Sequence, residues 1–166
     1  FFFFLMIRRP PRSTLFPYRR SSDLLPAIAA MAKALRVLLD KEAQSIKVER
    51  QIKQTILHHI EQFENVTIFS KDSALFAPHI LCFAIEGVRG ETIVHAFEQH
   101  GIYISTTSAC SSKKHLASST LTAMGVPEAV STSAVRVSLG DQNTLEEAAE
   151  FNDVFDTLYQ EFKKIM

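Results

Sequence analysis

Apolar residues recur along this chain at two periods, and the switches between them mark its elements. In "LPAIAAMAKALRVLLD" (25–40), Ile28, Met31, Leu35, Leu38 and Leu39 follow helical spacing, and Pro26 stands where a helix would begin. A second helical pattern runs from about Ala43 to Phe63, with Ile46, Ile52, Ile56, Leu57 and Ile60 as its apolar stripe. No Gly or Pro separates the two, so one long helix with a bend fits both. "VTIFS" (66–70) is β-branched and aromatic, and "ILCFAI" (80–85) is an apolar run of strand length. "ETIVHAFEQHG" (91–101) reads as a short helix closed by Gly101, and "IYIS" (102–105) as a short strand. Residues 116–124 form a helix stopped by Gly125, and "SAVRVSL" (133–139) is a strand. Asn143 or Thr144, followed by Glu146 and Glu147, caps a terminal helix whose stripe is Phe151, Val154, Phe155, Leu158 and Phe162.

This order predicts an α+β fold, a small sheet with helices packed on one face. The pattern leaves the strand order open.

The segment "STTSACSSKKH" (105–115) carries the most chemistry. Ser105, Thr106, Thr107, Ser108, Ser111 and Ser112 could not all be buried with satisfied hydroxyls, which predicts a surface loop around Cys110. Lys113, Lys114 and His115 would favour its thiolate if they lie close. The residues alone leave a reactive thiol and a packed one equally open. Cys82 lies in an apolar strand and reads as structural. Arg136 interrupts "AVRVSLG", where a charge is costly unless paired or solvated. It could grip a carboxylate with two parallel hydrogen bonds, or simply face solvent on an alternating strand, and the strand pattern favours the latter. His58, His59, His79, His95 and His100 lack metal-site spacing and read as structural; no metal site is expected.

Charge changes the picture at one end. The chain has 18 basic and 18 acidic residues, but Arg8, Arg9, Arg12, Arg19 and Arg20 all precede residue 24. The remainder holds 13 basic and 17 acidic residues, a mildly acidic balance that argues against nucleic acid as a direct partner. Two cysteines make no disulfide framework, and no apolar run is long enough for a membrane span, so a reducing, cytoplasmic setting is the default. The opening "FFFFLMIRRPPRSTLFPYRRSSD" lacks an initiating Met and resembles a translated sequencing adapter. Two parts are therefore expected: a disordered non-native tail over 1–23 and a domain over 24–166.

Four motifs in order, "LPAIAAMAKAL", "APHILCFAIEGVRGE", "TSACSS" and "AVRVSLG", resemble the C-terminal part of the cysteine desulfurases, a class V branch of the pyridoxal-phosphate aminotransferases. The resemblance implies the small domain of a fold-type I enzyme. It implies that Cys110 takes sulfur from L-cysteine as a persulfide, leaving L-alanine, and that Arg136 holds the substrate carboxylate. It also implies a homodimeric parent and a sulfur-acceptor protein, either an iron–sulfur scaffold or a tRNA-thiolation enzyme. Thr107 stands where the family has Gly, which stiffens the loop. The family's cofactor lysine and ring-contacting Asp and His have no counterpart, and "SSD" replaces its Gly-Thr. The expectation is therefore a fragment without a cofactor site, inactive alone. The alternative is a free-standing sulfur-relay or docking module without catalysis.

Overall fold

The computed structural model describes residues 21–73, 75–107 and 118–164. The chain divides into two compact units, Phe1–Glu42 and Ala43–Met166. The helix α1 spans Ser21–Ile60. Residues 1–20 of the expected tail lie outside the described residues, whereas Ser21, Ser22 and Asp23 belong to α1. Pro26 is therefore inside the helix and not at its start. Its fixed φ suits a helix, and this near the N-terminus it removes one hydrogen bond only. In the first unit the expected stripe is helical but uncovered. Leu25, Ile28, Met31, Leu35, Leu38 and Leu39 are all more than half exposed.

The second unit holds a four-stranded sheet, formed by β1 (Val66–Ile68), β2 (Ile80–Ile85), β3 (Ser105–Thr106) and β4 (Ala134–Ser138). The strand order is β1-β2-β4-β3, and each neighbouring pair is antiparallel. Helices α2 (Gly90–Gln99) and α5 (Leu145–Phe162), with residues 43–60 of α1, supply the core on one face. Two short helices, α3 (Ser119–Ala123) and α4 (Glu128–Ser131), pack at one end of the other face.

Period-2 alternation divides the central strands. Leu81, Phe83, Ile85, Val135 and Val137 enter the main core, where Phe155 (1% exposed) lies among the rings of His59, Phe63, Phe83, Phe97, Phe151 and Tyr159. Cys82, Ala84, Ala134 and Arg136 take the opposite face.

Local chemistry explains the ends of the elements. Thr144 and Glu147 form the predicted capping box of α5. Gly101 (φ 76°) closes α2: its N–H donates to Glu98 O and that of Ile102 to Phe97 O, a Schellman motif. Gly125 (φ 78°) closes α3 in the same way, with Val126 N–H donating to Leu121 O. Gly90 opens α2 hard against β4, where a Cβ would lie 3.1 Å from Ala134 O.

Three elements differ from the sequence reading or were not foreseen by it. "IYIS" is not a strand; pairing begins at Ser105, because only Ser105 and Thr106 find partners on β4. The helix expected over 116–124 has its described part in α3 alone. The one-turn α4, which starts after Pro127, had no periodic signal. Among the described residues no helix is long and apolar enough to cross a membrane.

Candidate functional site

The face of the sheet opposite the core is only partly covered, and the site is built there. Arg136 and Cys82 are directly opposed across β4 and β2, and Ser105 opposes Arg136 from β3. The three side chains therefore share a row across the sheet. Alternation sends Arg136 outward between buried Val135 and Val137, so the solvent-facing reading of the strand holds. Ser105 Oγ donates to Arg136 O at 3.4 Å.

Over this row lies a cleft of about 230 Å³. Cys82 and Arg136 form its floor, Phe69, Ser70 and Phe76 one wall, and Thr120, Leu121 and Met124 the other. The first wall is shaped by a bulge: the N–H groups of both Phe69 and Ser70 donate to Cys82 O, and Cys82 N–H donates to Ser70 Oγ at 3.0 Å. Thr107 and Ser118 complete the lining.

Electrostatically the floor is a cation beside a neutral thiol. Among the described residues Arg136 forms no ion pair with a carboxylate, so its guanidinium can receive an anion from solvent. Burial pushes the Cys82 thiol up to about 11, and the charge of Arg136 opposes that shift only in part. Cys82 is therefore protonated near neutrality and a poor nucleophile. The structural role expected for it needs one amendment: it lines the cleft rather than the core.

Cys110, with Lys113, Lys114 and His115, lies in 108–117, outside the described residues. The residues on either side of that segment, Thr107 and Ser118, are among those that line the cleft. The described histidines sit elsewhere. His59 meets Asp156 at 2.6 Å beside the aromatic core, and His58 and His95 pair with Glu61 and Glu98 on exposed helix faces. Among the described residues no three His, Cys, Asp or Glu side chains could share a metal ion.

A larger hollow of about 360 Å³ lies between α1, α5 and the 100–104 segment. Neither Arg136 nor a flank of the Cys110 segment lines it, so its size does not outweigh the chemistry of the smaller cleft. Sequence reasoning missed the walls of that cleft and Lys53, whose buried ammonium donates to the Ala77 carbonyl next to Phe76. The run "ILCFAI" is apolar at every position, so only the register with β4 shows which face Cys82 takes. A lysine between Ile52 and Gln54 reads as a solvated helix position until the segment beneath it is seen.

The chain is similar to known proteins in sequence and in fold. Residues 16–151 match the family model described as aminotransferase class-V. A NifS/IcsS protein homolog from Lactobacillus delbrueckii subsp. bulgaricus is 54% identical over 147 residues, which is 89% of this chain and 38% of the relative. A cysteine desulfurase from Sinorhizobium fredii is 29% identical over 129 residues, 78% of this chain and 33% of the relative. The chain thus spans under two fifths of the length of these relatives. Among solved structures, a NifS-like protein from Rickettsia africae matches with a TM-score of 0.64 at 25% identity, covering 78% of this chain and 32% of that one.

Proposed function

Since the chain belongs to the class-V aminotransferase family, we propose that it is the C-terminal part of a cysteine desulfurase, contributing the sulfur-carrying thiol and the substrate clamp. The observation that carries this reading is the cleft itself: Arg136 is on its floor, without a carboxylate partner among the described residues, and both flanks of the Cys110 segment line it. Cys110 is three residues beyond Thr107, so chain length alone keeps its Cα within about 11 Å of that residue. Cys82, protonated near neutrality, is a poor competitor for the role.

Each residue then has one task. The guanidinium of Arg136 binds the carboxylate of L-cysteine through paired N–H···O bonds and fixes the orientation of the substrate. Cys110 receives the substrate sulfur as a persulfide, leaving L-alanine. The hydroxyl-rich loop presents that sulfur to an acceptor, an iron–sulfur scaffold or a tRNA-thiolation protein.

The described residues of the cleft do not fit a pyridoxal phosphate site. They offer one cation, Arg136, and no lysine or acidic side chain. Lys53 is buried and bonded to backbone carbonyls, away from the cleft floor. The reading therefore assigns the cofactor to a part of the parent that this chain does not include, and the chain alone turns over no substrate.

The test uses both proteins. In the full-length parent, Cys110→Ser abolishes persulfide formation while the cofactor absorbance is retained; sulfur transfer that survives the substitution would overturn the role of Cys110. The 166-residue chain with pyridoxal phosphate and L-cysteine should give no sustained alanine release, and sustained release would overturn its assigned inactivity.

A further inference from the structure

Lys53 is 2% exposed, yet it carries an ammonium group into the protein beside Ile52 and Ile56. Its Nζ donates to Ala77 O at 3.0 Å and reaches Lys71 O at 3.5 Å. It also lies 6.0 Å from the centroid of the Phe76 ring. The next residue, Gln54, donates from Nε2 to Asp72 Oδ2 at 2.6 Å. Consecutive residues of α1 therefore grip the segment between β1 and β2 at Lys71, Asp72 and Ala77. That segment has little regular structure, but it carries Phe76, a wall of the Arg136 cleft.

We infer that Lys53 is a positioning residue of the cleft, holding the 71–77 segment by its carbonyls so that Phe76 stands against the floor formed by Arg136 and Cys82. The inference rests on the proposed function only for what the cleft binds; the placement of the wall is independent of it. A buried ammonium is costly unless it is fully used, and here the available acceptors belong to a segment that would otherwise have few anchors. Burial lowers its pKa and Arg50 adds to that, while the neighbouring Asp72 opposes it. Arginine can make the same contacts with its fork of donors, whereas methionine fills the space without any.

Cys82 reports on this wall, because its thiol shares the cleft with Phe76. In a Cys110→Ser background it is the only thiol of the chain, and its reaction with a disulfide reagent at pH 8 can be followed in the folded protein. Lys53→Met is expected to raise the rate about fivefold or more as the segment opens locally, and Lys53→Arg to restore it. Phe76→Ala is expected to produce the same rise, and the double variant Lys53→Met/Phe76→Ala no further one, since both remove one wall. A rate within twofold of the parent for folded Lys53→Met, or fully multiplying effects in the double variant, overturns the inference. If Lys53→Met does not fold, Lys53→Leu, which likewise carries no donor, is read against the same limits. The assay contains no substrate, so failure of the desulfurase reading leaves its outcome unchanged. That reading is probed separately by the KM of the full-length parent for L-cysteine: Lys53→Met should raise KM with kcat little changed.

Discussion

With Cys110 replaced by serine, the reactivity of the remaining thiol measures the electrostatics of the cleft. Cys82 has a pKa of about 11 against an ordinary value of 9.0. Near pH 8 the thiolate fraction is then roughly 0.001 rather than roughly 0.1, about 100-fold less. The more basic thiolate is intrinsically the better nucleophile: with a Brønsted slope of about 0.4–0.5, two units return a factor of about 6–10. The net expectation is a reaction about 10- to 16-fold slower than that of an ordinary thiol, before any steric loss. Stopped-flow kinetics with a chromogenic disulfide from pH 7 to 10.5 checks this. The rate should climb about tenfold per pH unit without a plateau. Arg136→Gln removes the cation that favours the thiolate, so the midpoint should move higher still and the rate at pH 8 should fall. A plateau at or below pH 9, or a faster reaction in Arg136→Gln, would refute the description of the floor as a desolvated thiol beside a guanidinium.

Four further outcomes test the fold and the site. Arg136→Gln in the full-length parent should raise the KM for L-cysteine about 10- to 150-fold, the loss of a charge-assisted contact of about 1.5–3 kcal/mol, read by steady-state alanine formation. Phe155→Ala opens the centre of the aromatic core and should cost about 3–5 kcal/mol, moving the urea midpoint down by at least about 1 M. Thr144→Ala breaks the capping box of α5 and should cost about 0.5–2 kcal/mol in the same assay. Because the folded protein raises the Cys82 pKa, the contribution of that thiol is fully present below its ordinary value of 9.0 and is lost as pH rises toward 11. The urea midpoint should therefore decline above pH 9, and less steeply in Cys82→Ala.

The elements were legible in this sequence where a local rule acts alone. Thr144 with Glu147, and Gly101 and Gly125 at helix ends, are read from neighbours within a few residues, and each is found where the sequence puts it. "ILCFAI" likewise occupies the predicted strand, and the stripe Ile52, Ile56, Leu57 and Ile60 is buried. The stripe from Ile28 to Leu39 forms a helix but stays exposed, because spacing specifies which face is apolar and not what covers it. The family resemblance singled out Arg136, yet its strand pattern alone favoured an ordinary exposed charge. The exposed charge is what the structure shows, and the exposed face of β4 is also the floor of the cleft.

The sequence by itself determined the longer helices, the strands β2 and β4, the caps at Gly101, Gly125 and Thr144 and the α+β class, though not β3 or α4, because periodicity and capping act over distances of a few residues. Only the tertiary structure decided that Cys82 faces Arg136, that Phe76 and Met124 wall the cleft, and that Lys53 reaches back to hold the 71–77 segment. These relations depend on strand order and on packing between residues tens of positions apart, for which no local pattern carries a signal.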